Sequence, residues 1–156
     1  MATTSRVPAA VDALLAILRA APGLDGVLVL DGPPTVNLTQ RERVYVGWLP
    51  EGGPAVTLTQ DFNAAGARTR DENFSIVGYA EVWSGGTDMQ PMRSRVFELV
   101  AEIETALRAT DAAPEAPTLN GAVLWSHLTA GDLFQDQTTD GARAGLNFTI
   151  TCRARI

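Results

Sequence analysis

The sequence predicts an α+β fold, in which a mostly antiparallel sheet of about six strands carries two helices packed on one face. Three observations lead to this prediction. Two stretches, one near the start of the chain and one in its middle, repeat apolar residues at helical spacing. Six other stretches alternate apolar and polar residues or form short apolar runs between turn residues, which is typical of strands. Four strands precede the second helix and two follow it, an order that favours one antiparallel sheet with helices on one side.

The first helix is predicted within residues 7–23, VPAAVDALLAILRAAPG. Ser5 is a candidate cap, and Pro8 suits the first helical turn because an amide hydrogen is not needed there. Pro22 and Gly23 end the helix. One buried face is predicted from four residues at helical spacing, Val11, Leu14, Leu15 and Leu18.

Four strands are predicted next, at residues 27–30, 43–49, 55–62 and 72–86. The turn sequence PEGGP separates the second strand from the third, so these two strands are expected to pair as a hairpin. Their inward-facing residues are predicted to be Val44, Val46 and Trp48 in the second strand and Val56 and Leu58 in the third. Residues 35–42 and 63–72 are expected to form irregular loops.

The fourth strand has two unlike faces. One row is apolar and consists of Phe74, Ile76, Ala80 and Val82. The other row is half apolar and half polar and consists of Asn73, Ser75, Val77, Tyr79, Glu81 and Trp83. A mixed row of this kind fits a surface that becomes covered only when subunits meet. Glu81 in this row is a candidate buried acid, although pairing with an arginine of a neighbouring strand or chain is favoured.

The second helix is predicted within residues 87–111, with Thr87 or Asp88 as its cap. Its buried stripe is predicted to be Met92, Val96, Val100, Ile103 and Leu107. After a connector at 109–118, a strand is predicted at 121–134, with Val123, Trp125 and His127 on one side and Leu124, Ser126 and Leu128 on the other. A turn at 135–141 leads into the last strand.

The last strand is predicted from residues 144–156, AGLNFTITCRARI, in which apolar or small residues alternate with more polar residues. The apolar row is expected to face the helices, and Asn147, Thr149, Thr151, Arg153 and Arg155 are expected to face outward. The two helices and this strand together predict a common core of Leu14, Leu18, Val96, Val100, Ile103, Phe148 and Ile150.

Length and composition indicate a single globular domain over residues 1–156, since 46% of the residues are apolar and 19% are charged. The formal net charge of −6 makes the chain a poor candidate for gripping nucleic acid, which needs a cationic surface. All twelve basic residues are arginine, so chemistry that depends on a lysine amine is excluded. No segment approaches the apolar length of a membrane-spanning helix, so no membrane partner is expected.

Motifs that would carry catalysis, a metal or a cofactor are absent from the sequence, so we expect neither an enzyme nor a cofactor. The single histidine, His127, lies within a predicted strand, where a structural role is favoured. The single cysteine, Cys152, is predicted to be a small buried hydrophobe. Trp48, Trp83 and Trp125 suit either a ligand cage or packing, and packing is favoured.

The order of elements resembles the tail terminator proteins of long-tailed bacteriophages, also called tail completion or tail-to-head joining proteins. The resemblance covers most of the chain and rests on VPAAVDALLAILRA, GVLVLDGPP, RVYVG, the strand NFSIVGYAEVWSGG before a helix that follows GGTD, and the terminal GAVLW and GARAGLNFTITCRARI. It implies a structural protein, six copies of which form a ring on the head-proximal end of the tail tube. The implied partners are the tail tube protein, the head–tail connector or stopper, and genomic DNA that passes through without specific binding. The implied location is the tail or neck of the virion, after assembly in the host cytoplasm.

Within such a ring, two sets of residues become candidates for function. The arginines of the two polar loops are expected to contact neighbouring subunits or the tube, since a guanidinium pairs with a carboxylate at two points. Three residues of the mixed row of the fourth strand join these arginines as candidates. The candidate interface residues are Arg41, Arg43, Arg68, Arg70, Tyr79, Glu81 and Trp83. A passage for DNA should have an acidic or neutral wall. The candidate lumen residues are therefore Asp71, Glu72, Asp132, Asp136 and Asp140, and a cation site at the last three is less favoured than a solvated acidic loop.

Two alternatives stay open at this point. Another ring component of a phage, either a tail tube subunit or a head–tail stopper, would share a small α+β sheet and ring assembly. A small-molecule-binding or enzymatic α+β domain is the alternative from a different class, and a deep pocket lined by Trp48, Trp83 or Trp125 would favour it.

Overall fold

The computed structural model describes residues 3–35 and 38–156 and confirms the predicted fold class. The helices are α1 (Val7–Ala20) and α2 (Met89–Ala106). The strands are β1 (Leu28–Asp31), β2 (Glu42–Val46), β3 (Val56–Phe62), β4 (Arg70–Trp83), β5 (Trp125–Thr138) and β6 (Gly141–Arg155). Two short 3₁₀ helices, Pro22–Leu24 and Ala116–Thr118, follow α1 and precede β5. Neither α1 nor α2 is long and apolar enough to cross a membrane.

The strands form one sheet in the order β1-β2-β4-β6-β5, and β3 also pairs with β4. The β1–β2 pair is parallel, and all the other pairs are antiparallel. β6 lies between β4 and β5, with thirteen residues in register against β4. A strand in this position has neighbours on both edges, and it presents one row of side chains to each face of the sheet. This position accounts for the long unbroken alternation of β6.

Both helices pack on one face of the sheet and share one hydrophobic core with it. The seven residues predicted to form a common core are all buried there, which confirms that prediction. In β6 the alternate residues from Ala142 to Ala154 are buried, and they include Cys152, as predicted. We refer to the opposite side of the sheet, against which neither α1 nor α2 packs, as the outer face.

The helix ends follow the predicted local chemistry. The Asp88 carboxylate accepts a hydrogen bond from the backbone N–H of Gln90 at 3.3 Å, as expected of a cap for α2. At α1 the hydroxyl of Ser5 accepts from the backbone N–H of Val7 at 3.0 Å, and Pro8 lies in the first turn. Arg6 takes the capping position itself, so Ser5 supports the helix from one residue further out.

The predicted hairpin of β2 with β3 is wrong. Both strands pair with the same edge of β4, β2 along its second half and β3 along its first half. The N–H of Gly47 donates to the carbonyl of Val77, whose own N–H donates to the carbonyl of Ala55. β2 and β3 are therefore two segments of one interrupted edge strand, and residues 48–54 form the loop that joins them. β4 is long enough to pair with both segments.

Two side-chain placements near this loop also differ from the prediction. Leu58 points to the helix side of the sheet but is 44% exposed, because β3 is an edge strand beyond the part of the sheet that the helices cover. Trp48 does not share the face of Val44 and Val46. β2 ends before Gly47, which has a positive φ of 76°, and the turned chain places the Trp48 ring 4.8 Å from Tyr45 on the outer face.

The regular strands run further than the sequence indicates at several ends. The predicted loop 63–72 ends at Thr69, since Arg70 already pairs with Phe62. The predicted turn 135–141 reduces to Thr139 and Asp140, because β5 continues to Thr138 in pairing with β6. At its other end β5 is shorter than predicted, because the regular strand begins at Trp125 and not at residue 121. Val123, which precedes it, is buried. The predicted loop 35–42 gives way to β2 at Glu42, and Val36 and Asn37 lie outside the described residues.

Candidate functional site

The structure brings four of the predicted interface residues together on the outer face, at the end of β4 nearest α2. Arg43 of β2 lies opposite Glu81 of β4 in the register of the sheet, and Tyr79 and Trp83 flank Glu81 in the same row. Side chains directly opposite each other in an antiparallel pair are close enough to interact. Together with Arg143 of β6, which lies opposite Trp83, these residues form what we call the outer cluster, Arg43, Tyr79, Glu81, Trp83 and Arg143.

Arg43 is held by contacts within its own chain. Its Nε donates to the carbonyl of Gln40 at 2.7 Å, and its Nη2 donates to the carbonyl of Leu38 at 3.2 Å. Its Nη1 lies 3.8 Å from a carboxylate oxygen of Glu81, at a place where both side chains are largely buried. Because removing one partner of such a pair leaves the other charge buried, Arg43 is a structural residue of the subunit.

Glu81 and Trp83 complete this arrangement. The indole N–H of Trp83 donates to Glu81, which is 5% exposed. The guanidinium carbons of Arg43 and Arg143 each lie 5.3 Å from the centre of the Trp83 ring, one from each neighbouring strand. This is a cation–π distance, so the indole face and the Glu81 carboxylate together balance the positive charge that the two arginines bring.

Aromatic rings extend the outer cluster across the sheet. Tyr45 and Tyr79 stack with ring centres 6.1 Å apart, and Tyr79 meets the edge of Phe134 at 6.5 Å. Tyr79 lies over Gly145, where a β-carbon would come within 1.7 Å of the phenol oxygen. Burial, followed by the nearby Glu81 carboxylate, raises the pKa of Tyr79 to about 12, so the phenol stays neutral at physiological pH.

These contacts correct the interpretation of the mixed row of β4 as a surface that is covered only on assembly. The sequence predicts that Tyr79 and Glu81 become covered when subunits meet. The structure shows both side chains buried by neighbours in the same chain, so that interpretation is wrong for these two residues. Trp83 stays half-buried, at one side of a cavity of about 250 Å³ lined by Leu38, Thr39, Gln40, Arg41, Arg43, Trp83 and Asp140.

The other predicted interface arginines do not join the outer cluster. Arg41 is exposed beside Gly85, at the same end of β4. Arg68 is exposed in the β3–β4 turn, and Arg70 donates to the side chain of Gln60 at 3.1 Å. The latter two lie at the opposite end of β4, which at about 3.3 Å per residue is roughly 40 Å away.

Asp71 and Glu72 lie in β4 and not in the acidic loop that the sequence indicated. Asp71 faces outward and binds Arg153 and Arg155, each at 2.9 Å. Glu72 is fully buried on the helix side of the sheet, so it does not border a lumen. Its carboxylate accepts from the backbone N–H of Arg6 at 2.8 Å and from the amide of Gln60 at 2.5 Å, and so fixes the start of α1 to the sheet.

Asp132, Asp136 and Asp140 do not form one loop either. Asp132 lies at a bulge in β5, Asp136 lies in β5 itself, and Asp140 lies in the turn after it. Asp136 forms a two-point ion pair with Arg143 at 3.0 and 2.5 Å. Among the described residues, no cluster of three or more histidine, cysteine or acidic side chains is placed to hold a metal ion.

Sequence reasoning missed Arg143 and Tyr45, which are central to the outer cluster. The signal for Arg143 was present, since it continues the outward row of β6 one step before Gly145. The signal for Tyr45 was weaker, because only the pairing of β2 with β4 places it beside Tyr79. Trp125 and His127 stack at 5.2 Å on the exposed edge strand, an outer-face contact that their shared parity predicts.

We predict that replacing Asp71 with asparagine flattens the acid side of the stability curve. Hydrogen bonds from Arg155 and Arg153 lower the pKa of Asp71 below its ordinary value of 3.8. A lowered pKa stabilises the folded state above the ordinary value, and this contribution is lost as the pH falls through the lower pKa of the folded protein. Thermal unfolding between neutral and acid pH would measure it. Asp140→Asn removes the same charge from an exposed turn and is the control, and equal curves for the two variants would contradict the prediction.

The sequence matches no protein-family model, and no curated protein is significantly similar to it.

Proposed function

We propose that this chain is the ring-forming structural subunit of a bacteriophage tail terminator. In this role six copies cap the head-proximal end of the tail tube, end its polymerisation and join it to the neck. The partners are further copies of the chain, the tail tube protein and the head–tail connector or stopper, and DNA passes through the centre. The site of action is the tail or neck of the virion, after assembly in the host cytoplasm.

The observation that carries this proposal is that both flanks of the sheet expose large apolar side chains. On the β3 flank Leu58 is 44% and Phe62 is 69% exposed. On the β5 flank Leu124 is 49%, Trp125 is 40% and Phe134 is 43% exposed. Head-to-tail contact between identical subunits uses two different surfaces of each subunit and closes into a ring when the rotation allows it. Exposed apolar groups on two opposite and unlike flanks support that kind of contact.

The outer cluster supports the same proposal in another way. Its arginines are neutralised inside the subunit by Glu81, Asp136 and the Trp83 ring, and Arg153 and Arg155 are neutralised by Asp71. The chain also has a net charge of −6. Neutralised arginines and a net negative charge suit a subunit beside moving DNA, because an unpaired cationic surface would bind phosphates and slow passage.

One observation favours a second candidate function, the binding of a small anionic molecule. Trp83 lines the 250 Å³ cavity together with Arg41 and Arg43, and guanidinium groups pair with anions at two points. Each guanidinium nitrogen of Arg43 already contacts an oxygen of the same chain, and Asp140 also lines the cavity. Both facts weaken attraction for an anion, so the ring subunit remains the proposal.

Immunogold electron microscopy of phage particles that encode this chain tests the proposal. The expected result is label at one position, the head-proximal end of the tube. In a deletion mutant, tubes should grow past their normal length. Label along the whole tube would indicate a tube subunit, label only on the capsid vertex would indicate a stopper, and particles without the chain would overturn a role in the virion.

A further inference from the structure

We propose that β3 of one copy of this chain pairs with the first part of β5 of a second copy, so that the sheet of each subunit continues into the next. This inference rests on the proposed ring, for which it names the contact.

The sheet has a gap beside β3. β2 and β3 lie along the same edge of β4, and β1 extends the sheet only next to β2. Among residues 3–35 and 38–156, no strand pairs with the free edge of β3. The gap is therefore one strand wide and as long as Val56–Phe62. Free backbone groups in such a gap are a ready template for an added strand.

The strand directions match across the proposed contact. β3 is antiparallel to β4, β4 to β6, and β6 to β5. β3 and β5 therefore run in opposite directions within one subunit. Rotation about an axis roughly along the strands keeps every strand direction, so β5 of a neighbour meets β3 in the antiparallel sense. β1 lies one strand further out, beside β2, and is level with residues 130–134 of β5. Only the part of the neighbour's β5 before its bulge, residues 125–130, therefore fits into the gap beside β3.

The heights and faces also match. A ring with cyclic symmetry has no shift along its axis, so the two halves of its contact lie at the same height. Thr57 is level with His127 through Ser75 and Thr151 of the intervening strands. Exposed Leu58 is level with Ser126, the second residue of β5, through Phe74 and Cys152. Exposed Phe62 pairs with Arg70, four residues further along the sheet and beyond the start of β5. By strand alternation Leu58 and Phe62 both point to the helix side. Leu124, whose N–H donates to the carbonyl of Arg153 just before β5, lies at a height between theirs, so these exposed apolar groups would come together in the pair.

Disulfide cross-linking tests the pairing in the full-length chain with Cys152→Ala, which removes the only native thiol. Thr57→Cys and His127→Cys are combined, since both positions are exposed on the outer face. Paired residues in an antiparallel ladder have Cα atoms about 4.5–5.5 Å apart, a separation that a disulfide spans. The expected result on mild oxidation at high protein concentration is a series of covalent multimers that ends in a closed ring. The two single variants should give monomers.

Leu58→Cys with His127→Cys is the matched control, because it places the thiols on opposite faces of the proposed pair. Thr57→Cys combined with Trp125→Cys or with Thr129→Cys, in place of His127→Cys, detects a register that is shifted by two residues. Circular dichroism shows that each variant is folded before oxidation. Dimers from either single variant, or no more cross-linking in any outer-face pair than in the control, would overturn the proposed pairing. So would cross-links from Thr57→Cys to a different virion protein.

The outcomes for the pairing and for the proposed function are distinct. A ring at the tube end without these cross-links would leave the terminator function standing and remove this contact. Cross-linked rings of a chain that is absent from phage tails would do the reverse.

Discussion

Replacing Phe148 with alanine should lower the free energy of unfolding by about 3–5 kcal/mol. Phe148 is 2% exposed in β6, the strand with neighbours on both edges, and its side chain belongs to the core shared with α1 and α2. Truncation removes a whole ring from that core, and the surrounding sheet has little freedom to collapse into the space. Urea unfolding followed by circular dichroism would give the difference.

Thr149→Ala is the control for this measurement. Thr149 is the next residue of the same strand, and its side chain belongs to the outward row. Its loss should cost well under about 1 kcal/mol, the span of strand preferences at such positions. If Phe148→Ala were as stable as Thr149→Ala, the assignment of the apolar row of β6 to the core would be wrong.

Replacing Gly78 with alanine should lower the free energy of unfolding by about 1–3 kcal/mol, as overpacking does in a well-filled core. Gly78 lies opposite Phe148 in the register of β4 and β6. A β-carbon at Gly78 would come within 2.2 Å of the Phe148 ring, so the ring occupies the space of the missing side chain. Alanine therefore forces a buried aromatic ring to move.

A double-mutant cycle with Phe148→Leu tests the cause of this effect. The smaller side chain leaves room at Gly78, so the cost of Gly78→Ala should shrink by at least about 0.5 kcal/mol in that background. Gly86→Ala is the control, because a β-carbon there meets only the Ser84 hydroxyl at 3.6 Å, and it should change stability by less than about 0.5 kcal/mol. An equal cost of Gly78→Ala in both backgrounds would exclude contact with the ring as the reason.

Gly78 and Gly145 have the same role on the two faces of the sheet. On the helix side Gly78 makes room for Phe148, and on the outer face Gly145 makes room for Tyr79. The sequence shows both glycines inside strand patterns, where glycine indicates close approach of another group. Only the register of β4 against β6 identifies the group that approaches in each case.

Much of the candidate site depended on pairing that the sequence does not specify. Glu81 and Arg43 are separated by many residues, and their ion pair exists because β2 lies along the second half of β4. The expected hairpin of β2 with β3 would have placed Arg43 elsewhere. In the same way, the polar sequence around Glu72 predicts an acidic loop, whereas Glu72 lies in β4 opposite Gln60 and contacts the start of α1, and this position buries it completely.

The sequence by itself determined the local features of this protein. Periodicity specified both helices, the buried row of β6 and the burial of Cys152, because each depends on residues a few positions apart. Capping preferences limited the start of α2 to Thr87 or Asp88, and the structure identifies Asp88. The tertiary structure alone decided which strands pair, which edges of the sheet stay free and which outer-face charges are neutralised within the subunit. These depend on contacts between residues far apart in the chain, and several pairings satisfy the same local alternation equally well.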